Sequence, residues 1–266
     1  MLPSIPRINK TKAKMAKGEV PFGIFLPSPS PMMVEFCGIL GLDFVIIDGE
    51  GGALDFVMAE DLVRAAETVD ITPVVRTLSH DPKAILRYLD CGFQGLMVPG
   101  VDTAQQARDI VAAAKFAPEG NRGFGRSRAG WYGLGPTPLG EFSRTANEQV
   151  LIIAMLEHIS ALKEIDEIIK VPGIDSFEIG PWDLSASMGL AGQTSHPEVV
   201  AAIDKIIETV TKAGKCVGDT IVTPGDAKEL VDRGFGMLNC SFAHVFGDAL
   251  RELTSSVRTH AGTVKK

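Results

Sequence analysis

The chain has 266 residues, 45% of them hydrophobic, which is enough to fill one large core and excludes a disordered body. A formal net charge of −7 argues against a nucleic-acid partner, and no apolar run approaches the roughly 18 residues a membrane helix needs. The four cysteines, Cys37, Cys91, Cys216 and Cys240, lie scattered in apolar surroundings without CxxC spacing. They read as buried thiols of a reducing compartment, which points to a cytoplasmic protein and away from disulfides or zinc ligands.

Residues 1–19 carry one short basic run, Arg7 to Lys17, and are expected to form a solvated helical segment without the apolar core of a signal peptide. Short apolar, β-branched runs then alternate with helical patterns to the end of the chain. Eight strands are predicted, at 23–26, 44–48, 72–76, 95–99, 151–157, 176–180, 216–219 and 237–241. Between them, Asp81-Pro82 opens a helix as N-cap and first turn, and 102–115 is Ala-rich with helical spacing. His196-Pro197 opens a helix that Gly214 ends, and Thr223-Pro224 opens one that ends near Gly234. Eight alternations without a break in composition predict one (β/α)8 barrel, a TIM barrel, spanning 1–266 as a single domain. The competing architecture, a doubly wound open sheet, would want a GxGxxG after its first strand, and none is there.

One connection is long. Residues 117–142 hold seven glycines and three prolines together with Arg122, Arg126, Arg128, Trp131 and Tyr132. Such a loop is expected to be a lid or part of a subunit interface, and its place after strand four suggests the catalytic face.

Barrel enzymes keep their chemistry at the C-terminal ends of the strands. In this chain strand two ends in Asp48-Gly49-Glu50, strand three in Arg76, strand five in Glu157, strand six in Gly180-Pro181-Trp182-Asp183, and strand seven in Asp219. Glu157 and Asp183 end successive strands, so their carboxylates can converge as hard ligands for Mg²⁺ or Mn²⁺, with Co²⁺ a further candidate. The plainer alternative is that each acid caps the helix that follows. Arg76, behind Pro73-Val74-Val75, offers a planar fork to a carboxylate, or pairs with Asp48 or Glu50 within the rim.

These segments resemble the HpcH/HpaI class II pyruvate aldolases. The matching stretches are Phe44-Val-Ile-Ile-Asp48-Gly-Glu50, Pro73-Val-Val-Arg76, Leu89 through Pro99, Gly120-Asn-Arg-Gly123, Leu156-Glu157, and most specifically Ile179-Gly-Pro-Trp-Asp183-Leu-Ser185 through Gly189. The resemblance implies a metal-dependent lyase that cleaves or forms the C–C bond of a 4-hydroxy-2-oxo acid, giving pyruvate and an aldehyde. It implies metal ligands at Glu157 and Asp183, and a pyruvate-holding arginine at Arg76. It also implies substrate binding along Gly180, Pro181, Trp182 and Asp183, and acid/base work at Asp48 with a histidine partner; where that partner is absent, a metal-bound hydroxide, Asp48 or Glu50 is the candidate to take over. A homohexamer of dimers that exchange their C-terminal helices is implied as well, with contacts from the helix near 248–257 or the long loop.

Two positions depart from that pattern. The family commonly has a histidine where this chain has Gly51, and a glutamine where it has Met155. Half of the proton-transfer equipment is therefore missing. His158 and His244 follow strands five and eight and are candidates to reach the pocket, whereas His80, His196 and His260 read as caps or tail. Two other functions stay open: a decarboxylase acting on an oxaloacetate-like 2-oxo acid, and a non-catalytic ligand-binding barrel.

Overall fold

The structure is a computed structural model that describes residues 6–261. The outermost residues of the 1–19 segment and of the 1–266 domain thus lie outside the described part. Eight parallel strands close into a barrel in sequence order: β1 (Phe22–Leu26), β2 (Phe44–Asp48), β3 (Thr72–Arg76), β4 (Gly95–Val98), β5 (Leu151–Leu156), β6 (Ser176–Ile179), β7 (Cys216–Ile221) and β8 (Met237–Ser241). Closure is a β1–β8 pairing that sets Phe22 beside Leu238 and Gly23 beside Asn239. Strands buried on both faces need no polar alternation, which is why β2 and β5 read as unbroken apolar runs. All eight predicted strands are present. β7 runs two residues past the expected end, so Asp219 lies within the strand and not at its tip.

Two packed layers result. Phe44, Ile46, Val74, Met97, Leu151, Ile153, Met155 and Met237 fill the barrel. The outward faces of the strands meet the surrounding helices in a larger core. Those helices are α1 (Lys10–Ala16), α2 (Pro31–Ile39), α3 (Phe56–Thr68), α4 (Pro82–Cys91), α5 (Ala104–Ala114), α6 (Leu139–Gln149), α7 (Ala161–Ile168), α8 (Pro181–Ser187), α9 (Pro197–Lys212), α10 (Asp226–Asp232) and α11 (Phe242–Ala261). The Asp81 side chain caps α4 by accepting from Lys83 and Ala84 N–H, as the Asp-Pro pair predicted. His196 likewise caps α9 through Glu198 N–H. The α10 helix starts later than Thr223-Pro224 suggested, because Asp226 accepts from the Val222 and Thr223 N–H groups and folds that dipeptide into a turn.

The expectation of a solvated N-terminal helix is corrected. Asn9 and Thr11 are fully buried, and Met15 packs against the barrel interior. Asn9 Nδ2 donates to the carbonyls of Gln94 (3.0 Å) and Gln149 (3.1 Å), while Lys12 reaches Asp175 and Lys14 reaches Asp43. These acids stand just before strands, so α1 plugs the N-terminal mouth of the barrel. The lysines that looked solvated are the plug's fastenings.

The 117–142 connection is corrected as well. It does not follow β4 directly: α5 first carries the chain back to the opposite end, and the loop emerges there. It is also partly ordered, with a 3-10 turn at Arg128–Gly133 and α6 beginning at Leu139. Arg128 pins it by donating to the Cys91 carbonyl and to both oxygens of Glu67, groups at the ends of α4 and α3. The free cysteines Cys37, Cys91 and Cys240 are buried as expected, while Cys216 is only partly so. Burial pushes the Cys91 and Cys216 thiols up to about 11, so neither is a ready thiolate.

Candidate active site

β2 and β3 run in register so that Asp48 stands beside Arg76 at the rim. Arg76 Nε and Nη2 donate to the two oxygens of Asp48 at 2.9 Å each, and Nη1 lies 3.1 Å from Glu50 Oε2. The guanidinium also lies over the Phe25 ring, 4.8 Å from its centroid. The internal pairing anticipated as an alternative is therefore what the rim contains. Burial opposes the Arg76 charge, but Asp48, Glu50 and Glu157 outweigh it, and its pKa lies above the usual arginine value.

Asp48 and Glu50 are not equivalent. Asp48 is buried, and its Oδ1 also accepts from the Glu50 and Gly51 N–H groups at 3.1 Å. Its lone pairs are committed to holding the turn and the guanidinium. Glu50 keeps a side chain 40% exposed and one ion-pair contact, which makes it the freer carboxylate.

Glu157 lies one residue beyond β5. Its Oε1 accepts from Gly100 N–H at 2.6 Å, and Gly100 takes a φ of +62° that favours glycine. Its other flank rests on Gly180, where an added Cβ would come within 2.6 Å of the Glu157 Cβ. Gly180 thus lets Glu157 pack against the start of α8, the helix that carries Asp183. Asp183 stands in the first turn of α8, whose N-cap Gly180 has no side-chain cap hydrogen bond. Burial, then repulsion from Asp183 and Glu50, raises the Glu157 pKa against the help of Gly100 N–H and Arg76. Trp182 is 64% exposed beside this pair.

The donor set fits a hard divalent ion. Two carboxylates that repel each other in a half-buried rim gain from a shared cation, and among the described residues no group of three or more His, Cys, Asp or Glu is placed to hold a metal by itself. Two protein oxygens leave further positions to water and substrate, as an oxygen-preferring divalent cation requires.

The histidines supply little. His80 Nε2 is tied to the Pro99 carbonyl, His158 is held by Ser160 Oγ at 2.6 Å, and His244 is exposed on α11. Gly51 faces the centre of the site: an added Cβ would sit 3.1 Å from Asp48 Oδ2 and 3.7 Å from Arg76 Nη2. Its φ is not positive, so the backbone there does not require glycine.

Sequence reasoning missed Glu178. It is buried on β6 in register with Met155 and bonds Asn239 Nδ2 at 2.9 Å, while its Oε2 has no partner. Burial, then the charge of Asp219, pushes its carboxyl up to about 8. A charged residue inside the run Ser176-Phe-Glu-Ile179 was the available signal.

The closed parallel eight-stranded barrel is a TIM barrel, and its rim gathers acids around one arginine. Residues 21–244 match the model of the HpcH/HpaI aldolase/citrate lyase family. A hydroxypyruvate/pyruvate aldolase of Cupriavidus necator is 32% identical over 262 residues, covering 96% of this chain and 94% of that protein. A 2-keto-3-deoxy-L-rhamnonate aldolase of Escherichia coli is 35% identical over 228 residues, covering 85% and 84%. The crystal structure of an HpcH/HpaI aldolase from Desulfitobacterium hafniense superposes with a TM-score of 0.86 at 31% identity, covering 92% of this chain and 96% of that one. The chain belongs to the HpcH/HpaI aldolase/citrate lyase family and is a carbon–carbon lyase.

Proposed function

We propose that the protein is a divalent-metal-dependent aldolase that splits a 4-hydroxy-2-oxo acid into pyruvate and an aldehyde, or joins them. The observation that carries this reading is the meeting of Glu157 and Asp183 beside the clasped Arg76. Glu157 and Asp183 would hold Mg²⁺ or Mn²⁺, which when bound polarises the 2-oxo group. Arg76, fixed by Asp48, stabilises negative charge on the 2-oxo oxygen as the enolate forms. The first-turn N–H groups of α8, at Trp182 and Asp183, lack intrahelical acceptors and suit the substrate carboxylate, with Gly180 and Pro181 shaping the turn. In cleavage a carboxylate takes the C4 hydroxyl proton, the C3–C4 bond breaks into the enolate, and protonation at C3 gives pyruvate. Glu50 is the better placed of the two rim acids for that proton, since Asp48 is fully engaged.

The empty side-chain position at Gly51 favours a second reading, decarboxylation of an oxaloacetate-like substrate, which needs enolate stabilisation but no base at a hydroxyl. Pyruvate release from several 4-hydroxy-2-oxo acids and from oxaloacetate, with and without chelator, separates the two. Full activity in excess chelator would refute both.

The oligomer belongs to the same proposal. α11 exposes Val245, Phe246, Leu250, Leu253 and Val257, and α2 exposes Met32, Phe36 and Ile39, followed by its C-cap Leu40. A 20-residue helix reaches about 30 Å. Two copies that lay α11 across each other's α2 would cover both stripes, the exchange expected of a hexamer of swapped dimers. Light scattering of Leu250→Glu/Leu253→Glu is expected to show smaller particles than wild type. A monomeric wild type at micromolar concentration would end the idea.

A further inference from the structure

Side chains inside a parallel barrel stack in layers of four taken from alternate strands, and bulky apolar residues ordinarily fill them. Stepping one residue further along each successive strand, as the tilt of a barrel requires, the registers define two layers below Asp48. The lower layer holds Ile46, Met97, Glu178 and Asn239, all buried. The upper one holds Phe25, Arg76, Met155 and Thr220; Met155 is buried, and the other three are partly exposed. Exposure thus begins at the upper layer, which forms the base of the rim site.

Three polar side chains join the layers. Thr220 Oγ1 donates to Asn239 Oδ1 at 3.0 Å, and Asn239 Nδ2 donates to Glu178 Oε1 at 2.9 Å. The amide is fixed in this sense because Nδ2 also faces the Asp219 carbonyl at 3.3 Å, which can only accept. Gly218 makes room for the chain, since an added Cβ there would meet Glu178 Oε2 at 2.1 Å. The consequence falls on Thr220. Its proton is committed to Asn239, so its oxygen meets the site as an acceptor with no proton to give.

We propose that Thr220 accepts a hydrogen bond from a hydroxyl on C3 of the substrate. The preferred substrate is then a 3,4-dihydroxy-2-oxo acid, and its three-carbon product is hydroxypyruvate. This rests on the aldolase reading of the rim and names the substrate class within it. Arg76 on β3 is given to the 2-oxo oxygen, and the carboxylate to the start of α8, which follows β6. C3 is the remaining substituent of the oxo carbon and is left to the β7 side, opposite Arg76 in the barrel. Phe25 and Met155 offer no hydrogen-bonding oxygen or nitrogen at this level, so Thr220 is the neutral polar contact. A C3 hydroxyl satisfies its acceptor, and a methyl group does not. Asn239 and Glu178 are positioning residues that act through the Thr220 hydroxyl.

Deuterium uptake at C3 in D2O, followed by NMR with full-length, Mg²⁺-loaded protein, reads enolate formation without an aldehyde. The ratio of kcat/KM for hydroxypyruvate to that for pyruvate, compared between variants, cancels the intrinsic acidity of each donor. Thr220→Val keeps the shape but removes the hydroxyl, and is expected to lower this ratio about tenfold, with Thr220→Ser restoring most of it. Asn239→Ala is expected to lower it about threefold alone and not at all in a Thr220→Val background, as a residue acting through that hydroxyl must. An unchanged ratio in folded Thr220→Val protein overturns the proposal and leaves the aldolase reading standing. Exchange of neither donor by wild type overturns both. Wild type also gives a test without turnover: glycerate and lactate of the same hand are unreactive and differ only in the C3 hydroxyl. Glycerate is expected to bind about tenfold more tightly in calorimetry, and equal affinities overturn the proposal.

Discussion

At the upper rim a single arginine, Arg76, is shared by Asp48 and Glu50, with Glu157 and Asp183 close by. At the floor the balance is reversed: four arginines line one cavity, all of them paired with carboxylates, two of them with the same Glu67. Excess acid at the rim suits a cation, whereas the floor's arginines are neutralised by carboxylates of the chain itself. The two ends also differ in how they are built. The rim depends on glycines that let strands and turns approach, whereas the floor depends on long side chains that fasten α1 and the 117–142 segment to the barrel.

The sharpest test of this contrast removes a rim acid. Glu157→Gln or Asp183→Asn is expected to lower turnover on the order of 10³-fold and to abolish Mn²⁺ binding in calorimetry, without loss of thermal stability. Retention of a large part of the activity in either variant would move the chemistry away from the rim. Arg76→Lys tests the clasp: it keeps a charge but cannot match both oxygens of Asp48. A fall in kcat of roughly 10²-fold is expected, measured as pyruvate release.

Gly51→His places an imidazole beside Asp48, where the backbone tolerates a side chain. If the protein is an aldolase short of a base, retro-aldol turnover should rise by part of the ~10²–10⁴ that a positioned base supplies. No gain in folded, metal-loaded protein on any 4-hydroxy-2-oxo acid would favour the decarboxylase.

The floor should answer in stability and not in rate. Asn9→Ala strips the donors from the Gln94 and Gln149 carbonyls and is expected to cost about 2–3 kcal/mol in denaturant unfolding, with kcat unchanged. A change in kcat larger than the change in stability explains would show that the two ends communicate. Glu178 gives the smallest and most pH-specific effect. Its carboxyl stays protonated up to about 8 when folded but ionises near the usual glutamate value when unfolded. Folding stability is therefore lost as pH rises between those values, and Glu178→Gln is expected to flatten that decline. An unaltered pH dependence of the melting temperature would contradict the raised value.

The sequence by itself determined the barrel, because strands buried on both faces and helices opened by Asp-Pro or His-Pro leave local marks at most strands and at several helix starts. It also pointed to Asp48, Arg76, Glu157 and Asp183 at or just past strand ends, since strand ends are where polar residues interrupt apolar runs, but it misplaced Asp219, which lies inside β7. Tertiary structure alone decided that Asp48 is spent on Arg76 while Glu50 is left freer, because both are simply acids in one turn until the fork of Arg76 arrives from β3. It decided that the basic N-terminal segment is a plug, because the aspartates that fasten it come from three distant strand starts and closing such contacts leaves no local pattern. It placed the 117–142 loop at the floor because α5 intervenes and reverses the chain. Glu178 was readable as an oddity in a strand, but its protonation follows from burial beside Asn239 and Asp219, which only the closed barrel brings together.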